Sequence, residues 1–267
     1  MKNISILGCG WLGFPLAQKL LQSGYAVKGS TTSPEKIALL KNSGISPFLI
    51  SLEADGIQGT IGDFLSKSEI LIINIPPKLR GPEAENFVSK INFLVPKIEK
   101  SNIEKVIFIS STSVYADDNS IVTETTKSIP DTESGKQLLE AESLLQKNPN
   151  FNTTILRFGG LIGDDRHPVK FLAGRENIDN PEAPINLIHQ EDCISIILKI
   201  IEADCWNEIF NAAAPFHPSR KDYYSAKALQ MQMELPKFNE KPSFGKTIDS
   251  QKLIKILNYN FIRKSDF

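Results

Sequence analysis

The residues with the clearest chemical meaning stand at the start of the chain. Gly8-Cys9-Gly10-Trp11-Leu12-Gly13 has the spacing G-x-G-x-x-G. In such a run the first glycine permits a tight turn and the second lets a pyrophosphate approach the backbone. The third lets the following helix pack close to the strand before it. The free N–H groups and dipole of that helix supply the anion site. The context is the required one. Ile4–Leu7 is a short apolar run, and behind the glycines Gly13, Leu16, Ala17, Leu20 and Leu21 fall on one helical face.

A second cluster, Ser30-Thr31-Thr32-Ser33, ends the next apolar segment. A carboxylate there would bond the ribose 2′-hydroxyl of NAD, but the first acid to follow is Glu35. Hydroxyls, Lys36 and a helix start at Ser33-Pro34 would instead receive a 2′-phosphate. The sequence therefore favours NADP, with NAD as the alternative. Ser33 equally suits an ordinary helix cap.

These residues need a scaffold that gathers strand ends. Apolar runs at Tyr25–Val27, Phe48–Ile50, Ile70–Ile73, Val106–Ile109 and Thr153–Leu156 alternate with helical stretches. The helices are expected at 34–44, 83–100 (with Pro96 a kink) and 134–147. Strands separated by helices pair in parallel through right-handed crossovers. The expected fold is α/β, a Rossmann-type doubly wound parallel sheet with a small mixed C-terminal substrate-side domain. Residues 1–160 form the nucleotide domain, with 189–212 packing back on it. Residues 161–267 form the substrate-side region. Ligands in such sheets bind beyond the carboxyl ends of the strands. That places Asn74 and Ile75, Ser110–Tyr115 and Arg157–Gly160 around one crevice.

Strand-GCGWLG, Ser110-Ser-Thr-Ser-Val-Tyr115, Leu156-Arg-Phe158 and Ile188-His-Gln-Glu-Asp192 together resemble an atypical, extended short-chain dehydrogenase/reductase. The nearest branch is that of the NAD-dependent epimerase/dehydratases acting on nucleotide sugars. The resemblance runs from Met1 to about Leu257. It implies hydride transfer between a nicotinamide and a carbonyl or alcohol carbon. It also implies that Ser111 holds the reacting oxygen and Lys136 the nicotinamide ribose. The family's Y-x-x-x-K then puts its tyrosine at Thr132, and a threonine hydroxyl is far too weak an acid to replace a phenol. Tyr115 is either a replacement acid or a packing residue. The candidate catalytic set is thus Ser111, Tyr115 and Lys136. Cofactor contacts are expected from Gly8, Gly10, Trp11, Leu12, Gly13, Ser30, Thr31, Thr32, Asn74, Ile75, Lys136 and Phe158.

Other candidates are weaker. His167, in a polar loop, is a candidate substrate contact, and His189 with Asp192 is a strand-end cap. Cys9, Cys193 and Cys205 are odd in number, widely spaced and without a companion cluster, so neither a disulfide framework nor a metal site is expected. The 30 basic and 31 acidic residues nearly cancel, which leaves no basic field for nucleic acid or an anionic membrane. With neither a signal-like start nor a membrane-length apolar run, the expected setting is cytoplasmic. The expected partner is a small-molecule substrate, and a homodimer is compatible with the reading. Two rival readings stay open. One is an NADP-binding regulator or sensor without turnover, which the missing tyrosine supports. The other is an imino-acid or hydroxy-acid reductase type, suggested by G-x-G-x-x-G and Asn74-Ile-Pro-Pro77. Against the second stand the SSTSVY block and the lack of a long all-helical second half.

Overall fold

The computed structural model describes residues 2–77 and 86–263. Seven strands form one parallel sheet: β1 (Asn3–Leu7), β2 (Ala26–Thr31), β3 (Ser46–Leu49), β4 (Ile70–Ile73), β5 (Lys105–Ser111), β6 (Asn152–Phe158) and β7 (Ile209–Ala212). Their order across the sheet is β7-β6-β5-β4-β1-β2-β3. The order reverses between β1 and β4, so a crevice opens where those strands end. Leu7 lies opposite Ile73 in that pair, which brings Gly8 beside Asn74.

Helices cover both faces because the central strands are apolar on both. The helices α1 (Gly13–Gln22), α7 (Gln190–Glu202) and α9 (Gln251–Leu257) contribute to one core, through Leu16, Leu20, Ile196, Ile197 and Leu253. The helices α3 (Ile61–Leu65), α4 (Phe87–Glu99) and α5 (Glu133–Gln146) cover the other, through Phe64, Ile91, Leu94 and Leu138. Short α2 (Lys36–Asn42) follows β2. A third, smaller cluster joins α6 (Val169–Leu172) to α8 (Arg220–Gln230), with Val169, Leu187 and Tyr223 inside.

Several expectations shift. The helix expected from Glu83 runs from Phe87 with Asn86 as its cap, and residues 83–85 lie outside the described residues. Ser33 does not cap α2 with its side chain. The hydroxyl at work is that of Thr31, which accepts the Ser33 N–H, and α2 starts only at Lys36. The stretch 161–267 is not wholly substrate-side. Besides α7 and β7, the segment Leu253–Phe261 returns to the first core. Its anchor is Asp192, fully buried at the start of α7, which accepts from the Tyr259 hydroxyl and from the Ile262 and Arg263 N–H groups. No helix among the described residues is long and apolar enough to cross a membrane.

Candidate functional site

The turn after β1 is held from both sides. The Ser30 hydroxyl accepts the Gly8 N–H at 2.9 Å, and the Ser30 carbonyl accepts that of Cys9 at 2.7 Å. From β4, the Asn74 side chain donates to the Gly8 carbonyl at 2.9 Å. Ser30 and Asn74 thus shape the turn from beneath while also lining the cavity above it.

The three glycines differ in what demands them. Gly8 has φ +103°, and a Cβ there would lie 2.5 Å from the Asn74 carbonyl oxygen. A Cβ at Gly13 would lie 2.2 Å from the Gly8 carbonyl oxygen. Both are needed by the protein itself. A Cβ at Gly10 meets nothing within 4 Å. The chain has no internal use for that bare backbone, and the space above it is open, as a bound pyrophosphate would require. The residues present therefore fit the phosphates of a dinucleotide.

A cavity of about 500 Å³ lies over this turn. Its walls include Gly8–Gly10, Ser30–Ser33, Lys36, Asn74 and Ile75, and on the far side the antiparallel pair that follows β3 contributes Ser51 and Glu53. Thr32 and Lys36 are exposed to it. Glu53 escaped the sequence analysis. The cue was the tight Glu53-Ala-Asp-Gly56 turn, whose strands are too short to show a period.

Leu12 is buried in the first core, so only its backbone belongs to the turn. Phe158 is also in that core, 2% exposed. Its ring packs, which corrects its expected part as a cofactor contact. Trp11 is half-buried. Its indole N–H donates to Asp165 and its carbonyl accepts from the Gln190 side chain.

Ser111 ends β5 opposite Phe158, half-buried. Its hydroxyl accepts the Ser113 N–H at 3.1 Å, capping the 3-10 turn Thr112–Val114, and keeps its own proton to donate. Lys136 is exposed in the first turn of α5. Thr132 is the cap of that helix, its hydroxyl taking the Gly135 N–H. The start of α5 is pressed onto the turn after β5, because a Cβ at Gly135 would lie 2.2 Å from the Ser113 carbonyl oxygen.

Tyr115 is corrected by its surroundings. It is 2% exposed. Its hydroxyl accepts from Arg157 Nη1 at 2.5 Å and donates to Asn211 Oδ1 at 3.0 Å. The Arg157 guanidinium also lies 4.9 Å from its ring centre. Burial pushes the phenol up, against the opposing pull of Arg157. A sealed phenol with both hydrogen-bonding roles filled is a packing and network residue, unsuited to giving a proton to a substrate. His167 is buried too, bonded to Tyr223 and to the Val169 N–H, so it is not a substrate contact. His189 caps α7, accepting the Glu191 N–H.

Over 264 residues the chain is 36% identical to Protein YeeZ of Escherichia coli K12, a match spanning 98% of this chain and 96% of that one. The chain belongs to the YeeZ family. Residues 3–131 also match the family described as the NAD binding domain of 6-phosphogluconate dehydrogenase. Among solved structures, a functionally unknown conserved protein from Silicibacter pomeroyi DSS is similar at TM-score 0.81 and 20% identity, covering 99% of this chain and 95% of that one. UDP-glucose 4-epimerase from Thermotoga maritima, solved with UDP-glucose, is similar at TM-score 0.79 and 18% identity, covering 97% and 94%. MoeE5, solved with UDP-glucuronic acid and NAD, is similar at TM-score 0.78 and 18% identity, covering 97% and 93%. At these identities the likeness is one of fold. The resemblance seen in GCGWLG and SSTSVY thus holds for this YeeZ-family chain as a shared fold along nearly its whole length.

Proposed function

We propose that this YeeZ-family protein binds NADP, or less tightly NAD, in the cavity over Gly8–Gly13. We further propose that it acts as an oxidoreductase or epimerase/dehydratase on a nucleotide sugar or similar polar metabolite. The observation that carries the reading is the bare, open backbone at Gly10 above a cavity of about 500 Å³. The NAD-binding family match over 3–131 and the NAD-bound fold relatives support it. A bound nicotinamide would supply the hydride chemistry. The chain's own part is to bind and orient. The turn's N–H groups take the pyrophosphate, Ser111 donates its free proton to the reacting oxygen, and Lys136 holds the ribose. The proton that Thr132 and Tyr115 are unable to supply comes from the substrate or from water.

Gly10→Val tests the phosphate site. The branched side chain finds room in the empty protein but fills the ligand's space. NADPH affinity should fall at least about tenfold, roughly 1.4 kcal/mol, with the melting temperature nearly unchanged. Unaltered titrations of this variant would remove the phosphate reading.

The preference for NADP rests on the hydroxyls of Thr32 and Ser33 and on Lys36 at the cavity wall. Thr32→Asp would set a carboxylate against a 2′-phosphate. It should weaken NADPH by about tenfold relative to NADH. Wild-type protein binding NADH more tightly than NADPH would reverse this assignment.

A second reading is a nucleotide-binding sensor without turnover. One observation favours it: the position of the family tyrosine is taken by Thr132, a helix cap with no acidic proton, and Tyr115 is sealed. A screen of nucleotide sugars and related metabolites, followed by NADPH and NADH absorbance, separates the two. Turnover stoichiometric with cofactor supports the enzyme. Tight NADPH binding with no turnover across the screen supports the sensor.

A further inference from the structure

The phosphate turn supplies N–H groups but no cation, since Gly8–Gly13 contains none. The cations that line the cavity, Lys36 and Lys90, come from α2 and α4 instead. A different element lies directly on the turn. The short β-turn Gly163–Arg166 is closed by two backbone hydrogen bonds, 2.8 and 3.0 Å. It rests on Trp11 so closely that a Cβ at Gly163 would stand 2.8 Å from the indole. The Trp11 indole N–H is fixed to Asp165 Oδ1 at 2.8 Å.

Within this turn Arg166 is exposed, and its guanidinium lies 5.0 Å from the centre of the Trp11 ring. Neither acidic neighbour forms an ion pair with it. Asp165 is bonded to the indole, and Asp164 faces His189 Nε2 at 3.7 Å. Among the described residues Arg166 has no ion-pair partner. Stacking on an aromatic ring holds a guanidinium in place without cancelling its charge. A planar fork of donors matches two phosphate oxygens. The next residue, His167, is bonded to Tyr223 of α8, so the base of the turn is anchored in the substrate-side cluster.

We infer that Arg166, presented on Trp11 by the Gly163–Arg166 turn, binds the pyrophosphate of the dinucleotide from the substrate side. The phosphates are thus gripped between α1 and the substrate-side region. This rests on the dinucleotide reading given above.

The test titrates NADPH and ADP-ribose, both of which carry the pyrophosphate, into wild type, Arg166→Gln and Arg166→Lys at several salt concentrations. Arg166→Gln should lose about tenfold in affinity for both ligands. Its binding should also become less sensitive to salt, because one screened charge contact is gone. Arg166→Lys should keep the salt sensitivity and recover part of the affinity. The ligand-free melting temperatures should match, as Arg166 is exposed. Wild-type affinity in Arg166→Gln overturns this inference and leaves the dinucleotide reading standing. Equal losses in Gln and Lys variants, with a lowered ligand-free melting temperature, also overturn it, since Arg166 would then only prop Trp11. A wild-type protein that binds neither ligand overturns both.

Discussion

Glu142→Ala should destabilise the protein by about 3–5 kcal/mol, the cost of leaving a buried charge without its partner. Glu142 is 2% exposed in the third turn of α5, and Arg157 is 4% exposed at the carboxyl end of β6. The carboxylate accepts from Arg157 Nη2 at 2.6 Å, from Nε at 3.0 and 3.2 Å, and from the Ser110 hydroxyl at 2.5 Å. Arg157 then reaches Tyr115, which reaches Asn211 on β7. One charged network therefore ties α5 to the ends of β5, β6 and β7. Alanine removes the counter-charge and leaves the buried guanidinium bonded to the neutral Tyr115 hydroxyl. Removing both charges together, as Glu142→Leu with Arg157→Met, should cost far less, because no unpaired charge remains. Denaturant unfolding of the single and the double variant checks this. A single-variant loss below about 1 kcal/mol would mean that water reaches the pair.

Stability should also fall as pH drops from neutrality toward 4, with His167 as a principal cause. Burial pushes its pKa down to about 4, and nearby Lys227 and Lys170 add to the effect. The bonding explains why it stays neutral. Nδ1 accepts the Val169 N–H at 3.1 Å, so the ring proton is on Nε2, which pairs with the Tyr223 hydroxyl at 2.7 Å. A proton added at Nδ1 would break the first bond. In the unfolded chain a histidine titrates near 6.5, so between 6.5 and 4 the unfolded state holds the extra proton. The folded state is fully favoured above the higher value and loses that advantage as pH falls through the lower one. The swing is on the order of 3 kcal/mol. His167→Gln should lower stability at pH 7 and flatten the dependence over this range. A variant with the same acid slope as wild type would show that the buried carboxylates dominate instead.

The parts of this molecule that were legible in sequence are those governed by local pattern. GCGWLG between an apolar run and a 3.6-period stretch leaves little choice of geometry. The central strands show as apolar runs because both faces are covered. What stayed hidden depends on distant partners. Nothing local tells that Tyr115 turns inward, since its partners Arg157 and Asn211 lie 42 and 96 residues away. Glu142 has the sequence setting of a solvated helix acid, and only the fold brings Arg157 to it. In β7, Asn211 interrupts the apolar run that would mark a buried strand. Asp192 opens α7 as an ordinary first-turn acid, yet it is spent on a C-terminal segment about 70 residues on. At Ser33-Pro34 the cap pattern misled: α2 begins at Lys36 with Glu35 before it and no side-chain cap, and the Ser33 N–H is taken by the Thr31 hydroxyl.

The central claim is that the Gly8–Gly13 turn and its cavity hold a nicotinamide dinucleotide, with NADPH bound more tightly than NADH. Calorimetric titration of the wild-type protein with the two reduced cofactors, side by side with Gly10→Val, tests it most directly. The account predicts one saturable site per chain for NADPH, a weaker site for NADH, and at least about a tenfold loss for both in the variant. Absence of binding by either cofactor, or equal binding by wild type and Gly10→Val, would contradict it.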